Sequence, residues 1–335
     1  MKNRIKSKSD NKNKEQLKKL AQKYEVMGQD MTSYLDGLLY SNFLKYWEYI
    51  HLDTLLTLQN PQTDFPDEMV FIIYHQITEL YFKLILHEID QIAHNKRIVR
   101  PSGEDVGWGN KLPVDFFIER VNRINEYFEN LTRSFEIMIN GMEKDQFLKF
   151  RMALLPASGF QSAQYRMIEI CSTDLIRLVD PKVREKFETR SNVSIEELFS
   201  HRYWKRGSSE LASGKKTLTL LNFEKKYSNR LIKLAEEYKD INLWAKYKTL
   251  PKKDQKNKDL IKALRQLDMN ANVNWPLVHY KSAARYLDRK PDVIAATGGT
   301  NWQKYLPPRF QKIIFFPDLW TEEEIKNWGK GSSKR

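Results

Sequence analysis

The sequence is poor in cysteine, in glycine and in long apolar runs. One cysteine, Cys171, stands in 335 residues, which excludes an internal disulfide framework and a cysteine-based zinc site. Glycine occurs only 13 times, about 4% of the chain against a usual value of about 7%. That argues against a glycine-rich sandwich, a dinucleotide-binding repeat or a collagen-like chain. No apolar run reaches the roughly 18 residues a membrane span needs. No apolar stretch follows the basic start, as a signal peptide would require. With one cysteine and no export signal, the expected compartment is the cytoplasm, with no membrane partner.

Charge is the one excess. Lys+Arg total 56 and Asp+Glu 43, a net charge of +13. Almost half of it lies in residues 1–25, MKNRIKSKSDNKNKEQLKKLAQKYE. Residues 1–14 hold few apolar side chains and bury too little to offset their own ordering entropy. Residues 1–25 are therefore expected to be a basic, largely disordered tail, and 26–335 one domain. The later lysine pairs, Lys215-Lys216, Lys225-Lys226 and Lys252-Lys253, lie in polar surroundings and read as solvated faces. No zinc finger, basic zipper or RNP-like strand accompanies them, so no nucleic-acid partner is expected.

What fills the chain is helical periodicity. Phe71, Ile72, His75, Glu79, Phe82, Leu86 and Ile89 recur mostly at three- and four-residue steps and predict a helix over about 67–94. Asp64-Phe-Pro-Asp-Glu68 precedes it as a start signal. Similar patterns predict helices over 42–58, 113–139, 144–155, 160–179, 223–247 and 258–267. Pro276 fits a first turn better than a helix interior, so a new helix is expected at Asn274-Trp275-Pro276, ending near Leu287. Residues 97–112 and 205–219 read as loops. The best strand signal is Lys312-Ile-Ile-Phe-Phe316, and it is short. The fold class is all-α, a single large helical domain.

Generic motifs are nearly absent. There is no zincin pattern, no Gly-x-Ser-x-Gly elbow, no phosphate-binding loop and no Cys-x-x-Cys-His. A di-iron bundle needs two Glu-x-x-His pairs, and only Glu48/His51 has that spacing. What remains is a set of histidines, arginines and aromatics at helical spacings. Phe71 and His75 share a helix face, as do Phe147 and Arg151. Tyr46, Tyr49 and His279 also sit on helical patterns. Singly, each fits ordinary packing or an ion pair. Together they can be read as one site: an aromatic pocket beside an anion-holding arginine, with a histidine left over as a metal ligand. A neutral imidazole is a common axial ligand of non-covalent haem.

In that combination the chain resembles the tryptophan 2,3-dioxygenase family. The matching segments are Tyr46-Trp-Glu-Tyr49 through Pro61, Asp67 through Leu80 with Phe71, His75 and Glu79, and Phe147-Leu-Lys-Phe-Arg151. Ser158-Gly-Phe-Gln-Ser-Ala-Gln-Tyr165-Arg166, Trp275-Pro-Leu-Val-His279, Thr297-Gly-Gly299 and Phe315 through Trp320 follow in the family's order. The resemblance implies haem b as cofactor, L-tryptophan and O2 as substrates, N-formylkynurenine as product, and a homotetramer. It implies His279 as the axial ligand of the haem iron, with Ser158 and Tyr165 beside the haem. It implies His75 as the distal, catalytic histidine that accepts the indole N–H. Arg151 would hold the substrate carboxylate, Thr297 the amino acid's polar end, and Phe71 and Phe147 the indole. Tyr46 and Tyr49 would enter the pocket of a neighbouring subunit.

Three stretches depart from the family's pattern. Pro276 stands where arginine is common, Asp288-Arg-Lys-Pro-Asp292 reads as an insertion, and Thr297 is followed by Gly-Gly-Thr-Asn-Trp. Two other functions compete with the dioxygenase. One is a haem monooxygenase of the same superfamily acting on an indole derivative. The other is a helical scaffold or nucleic-acid-associated protein without chemistry.

Overall fold

Helices form where the apolar steps predict them, and their ends follow from caps and hydrogen bonds that pattern alone does not show. The computed structural model describes residues 2–41, 44–155, 161–205, 208, 215–287, 303 and 307–330, with side chains from residue 10 onward. The chain divides into two compact units, Met1–Gln59 and Asn60–Arg335. The boundary expected after residue 25 coincides with the end of the first helix, not with this division.

In the first unit, α1 runs over Lys2–Val26, where the sequence reading expects a disordered tail. Lys, Gln, Glu, Leu and Ala, which dominate its second half, all have high helix propensity. α2 covers Met31–Tyr40 and is capped by Asp30, which accepts from Thr32 N at 2.9 Å and Ser33 N at 3.1 Å. Tyr24 of α1 lies 5.3 Å from Tyr34 of α2, ring centre to ring centre. The single helix expected over 42–58 is instead two short ones, α3 at Tyr46–Tyr49 and α4 at Leu52–Leu55. His51 separates them in the left-handed region, φ 53°, which a continuing helix cannot include. No described side chain of this unit is buried.

The second unit holds the core. Its central helix, α5, runs over Asp67–Ala93. Buried Glu68 folds the preceding turn onto its start, accepting from Gln62 N and Thr63 N, both at 2.8 Å. A two-stranded antiparallel hairpin follows, β1 at Arg97–Val99 and β2 at Asp105–Trp108, inside the stretch expected to be loop. Next come α6 at Val114–Ser134, α7 at Glu136–Asn140, α8 at Lys144–Phe150 and α9 at Ala163–Ser172. α10 at Pro181–Glu188, α11 at Ile195–Ser200, α12 at Leu218–Tyr238, α13 at Leu243–Thr249, α14 at Lys252–Gln255 and α15 at Lys258–Met269 follow. The described chain is thus all-α apart from the hairpin. By length and hydropathy α5 would also pass as a membrane span. Its packing against α6 and α9 and its hydrogen-bonded glutamates, Glu68 and Glu88, mark it as the core helix.

Two expectations near the C-terminal end change. The chain does not break before Pro276: α15 continues through a π turn at Asn270–Asn274 into α16, Trp275–Leu287. A proline inside an α-helix clashes with the carbonyl one turn back, and the wider π turn makes room for it. Residues 312–316 do not form a strand. Ile313, Phe315 and Phe316 are buried, and their backbone is pinned by Asp268 of α15. The fully buried Asp268 accepts from Phe315 N (2.6 Å), Asn272 Nδ2 (2.8 Å), Phe316 N (3.0 Å) and Trp320 Nε1 (3.0 Å). Burial pushes its pKa up to about 6 against the pull of these donors.

Asp268→Asn would turn an amide N–H2 toward Phe315 N–H, or toward Phe316 N–H and Trp320 Nε1–H, which only donate. We expect it to cost about 3 kcal/mol, read as a fall of several degrees in Tm. An unchanged Tm would show that the carboxylate does not hold this segment.

Candidate active site

Two helices bring the central residues together. On α5, Phe71 and His75 share one face, with ring centres 4.1 Å apart. α8 presents Phe147 and Phe150, and Arg151 closes it. Phe71 lies 6.3 Å from Phe147 and 5.7 Å from Phe150. Their starts are clasped reciprocally: Glu143 N donates to Asp67 Oδ2 at 2.6 Å and Asp67 N to Gln146 Oε1 at 3.2 Å. α16 closes the third side. Its Tyr286 ring lies 4.6 Å from Phe147, and its hydroxyl donates to Ile139 O (3.2 Å) and Met142 O (3.3 Å). Arg151 is buried, which lowers its guanidinium pKa, yet the group remains a cation.

Both histidines are half-buried. His75 Nδ1 is 2.7 Å from the Phe71 carbonyl. A carbonyl only accepts, so Nδ1 carries the proton and Nε2 is left as an acceptor. Burial lowers the His75 pKa, against the hydrogen bond to Phe71 and the charge of Glu79. His279 lies on α16, one turn beyond Trp275. Its pKa is pushed down to about 4, first by burial and then by the nearness of His75. Both imidazoles are therefore neutral at ordinary pH, and His75 has its Nδ1 committed to its own helix. The His279 ring is flanked by Phe135 at 4.7 Å and Trp275 at 4.6 Å. Phe82 of α5 reaches both Trp275 (5.7 Å) and Tyr165 of α9 (5.5 Å).

The remaining expected residues fall elsewhere. The Tyr165 hydroxyl donates to the Ala271 carbonyl at 2.8 Å. Tyr46 and Tyr49 belong to the first unit, where they are 70% and 73% exposed. Ser158 and Thr297 lie outside the described residues, as does the insertion at 288–292. Sequence reading missed Phe135, Tyr286 and the backbone partner of His75. Aromatic periodicity marks the first two as core only, and a backbone carbonyl leaves no sequence signal.

A histidine with a depressed folded pKa lets the unfolded chain take up its proton first. The stability it carries is present above about 6.5 and is lost as pH falls toward 4. Between those values, Tm of the purified chain should fall more steeply than that of His279→Phe. Equal slopes would contradict the desolvated, neutral imidazole.

A family model described as tryptophan 2,3-dioxygenase matches residues 37–274, ending just ahead of Trp275. Several curated relatives carry the same name. A protein of Ruegeria sp. (strain TM1040) is 38% identical over 130 residues, 39% of this chain and 42% of its own length. One from Bacillus anthracis is 28% identical over 301 residues, 83% of this chain and 91% of its own. One from Polaromonas naphthalenivorans is 26% identical over 304 residues, 84% and 91%. With the model covering most of the chain and relatives matched nearly end to end, this protein belongs to the tryptophan 2,3-dioxygenase family.

Proposed function

We propose that the chain is a haem-dependent dioxygenase that opens the indole ring of L-tryptophan with O2 to give N-formylkynurenine. The observation that carries this reading is the pair of half-buried neutral histidines, His75 and His279, on different helices, beside Phe71, Phe147 and the buried Arg151. The donor set fits a haem: the neutral imidazole of His279, packed between Phe135 and Trp275, would hold its iron. The aromatic rings around it offer an apolar wall. In this reading His279 ligates the iron of haem b, and the haem, when bound, supplies the redox chemistry with O2.

The chain's own residues hold and orient the substrate. His75 Nε2 accepts the indole N–H, which needs the neutral tautomer its Nδ1 bond imposes. Phe71 and Phe147 flank the ring. Arg151 pairs with the carboxylate; a guanidinium brought out of water by burial gains more from an anion than an exposed one. Thr297 holds the polar end of the amino acid, and Ser158 lies beside the haem. Tyr46 and Tyr49, exposed on their own unit, reach a neighbouring site in a homotetramer. The enzyme works in the cytoplasm. The monooxygenase and scaffold readings are not favoured, since the family model and the full-length relatives point the same way.

Turnover under heavy-isotope O2 tests the reaction: two labelled oxygens in the product support it, and one would overturn it for a monooxygenase. His279→Ala should purify without a Soret band, whereas His75→Ala keeps the band and loses turnover. Arg151→Ala should raise KM for L-tryptophan about 30-fold, the value of a charge-assisted pair. It should alter binding of tryptamine, which lacks the carboxylate, far less. Equal losses for the two ligands would contradict the assignment of Arg151.

A further inference from the structure

The helix bearing His279 carries an irregularity whose hydrogen bonds can be followed one by one. In the π turn at Asn270–Asn274, Trp275 N donates to Asn270 O, a five-residue step. The next bond of that series would run from residue 276 to the Ala271 carbonyl. Residue 276 is proline and has no N–H to give. Ala271 is fully buried, so water cannot supply the missing donor, and a buried carbonyl without one is costly. The Tyr165 hydroxyl, arriving from α9, donates to that same oxygen at 2.8 Å.

We propose that Tyr165 is a positioning residue that stands in for the N–H missing at Pro276, and that this exchange fixes the turn aiming His279. The turn and the histidine are joined directly, because His279 lies one turn along α16 from Trp275, the first residue past the turn, and the two rings pack 4.6 Å apart. The neighbouring residue extends the effect. Gln164 Nε2 donates to both the main-chain oxygen and the Oε2 of Glu79, each at 2.8 Å. Glu79 lies one turn beyond His75. Adjacent residues of α9 therefore hold the helix of His75 and the helix of His279, and α9 sets the spacing between the two imidazoles. The geometry stands without a cofactor; its consequence for haem ligation rests on the function proposed above.

The test is a cycle of four full-length proteins: wild type, Tyr165→Phe, Pro276→Ala and the double variant. Each is followed by thermal unfolding as purified and by haem titration with the absorbance spectrum. Tyr165→Phe should lower Tm by roughly 2–6 °C and weaken haem binding about tenfold, with a changed Soret position. Made in the Pro276→Ala background, where residue 276 again has an N–H, the same change should lose less than half as much, and the wild-type spectrum should return. The same loss in both backgrounds would overturn the proposal. Should Tyr165→Phe alone not fold, recovery of folded protein on adding Pro276→Ala supports it, and no recovery overturns it. A wild-type chain that takes up no haem would remove the proposed function, while the unfolding cycle would still decide the pairing.

Discussion

Two half-buried histidines on different helices, His75 and His279, are held neutral by their surroundings. That shared constraint organises the site. Desolvation of this kind disfavours a charged imidazole. His75 gives Nδ1 to the Phe71 carbonyl, which leaves its Nε2 unprotonated. His279 is set by its neighbours, with the Phe135 and Trp275 rings 4.7 and 4.6 Å away.

The helices that deliver the two rings are fixed by different means. α5 is a long amphipathic helix whose start is locked by Glu68 and clasped to α8 through Asp67, Glu143 and Gln146. That clasp places Phe147 and Arg151 opposite Phe71. α15 and α16 are a single run joined through the π turn. Asn125 of α6 braces it, donating to Ala263 O at 3.0 Å and accepting from Asn270 Nδ2 at 3.2 Å. Asp268 anchors the buried segment after residue 312 to the same run. The polar groups of this region are thus consumed in setting one turn.

Much of this is legible in the sequence because periodicity reports which face of a helix is buried. The long helix over 67–93, the pairing of Phe71 with His75 and the all-α class all follow from three- and four-residue steps. Breaks are harder to see. Pro276 reads as a helix start because proline is usual there, and only the packing of Tyr165 and Asn125 reveals a continuous helix with a wider turn. The buried run Ile313-Ile-Phe-Phe316 reads as a strand because β propensity cannot sense a carboxylate elsewhere in the chain. The helix at residues 2–26 stands on local propensity.

The central claim is that this chain places one histidine to ligate haem and another to receive the indole beside it. Titrating the purified protein with haem and then adding L-tryptophan to the reduced complex, without oxygen, tests both halves in one absorbance record. The account predicts saturation at one haem per chain and a shift of the Soret band on adding L-tryptophan. Haem uptake without a defined stoichiometry, or a Soret band unmoved by L-tryptophan, would contradict it.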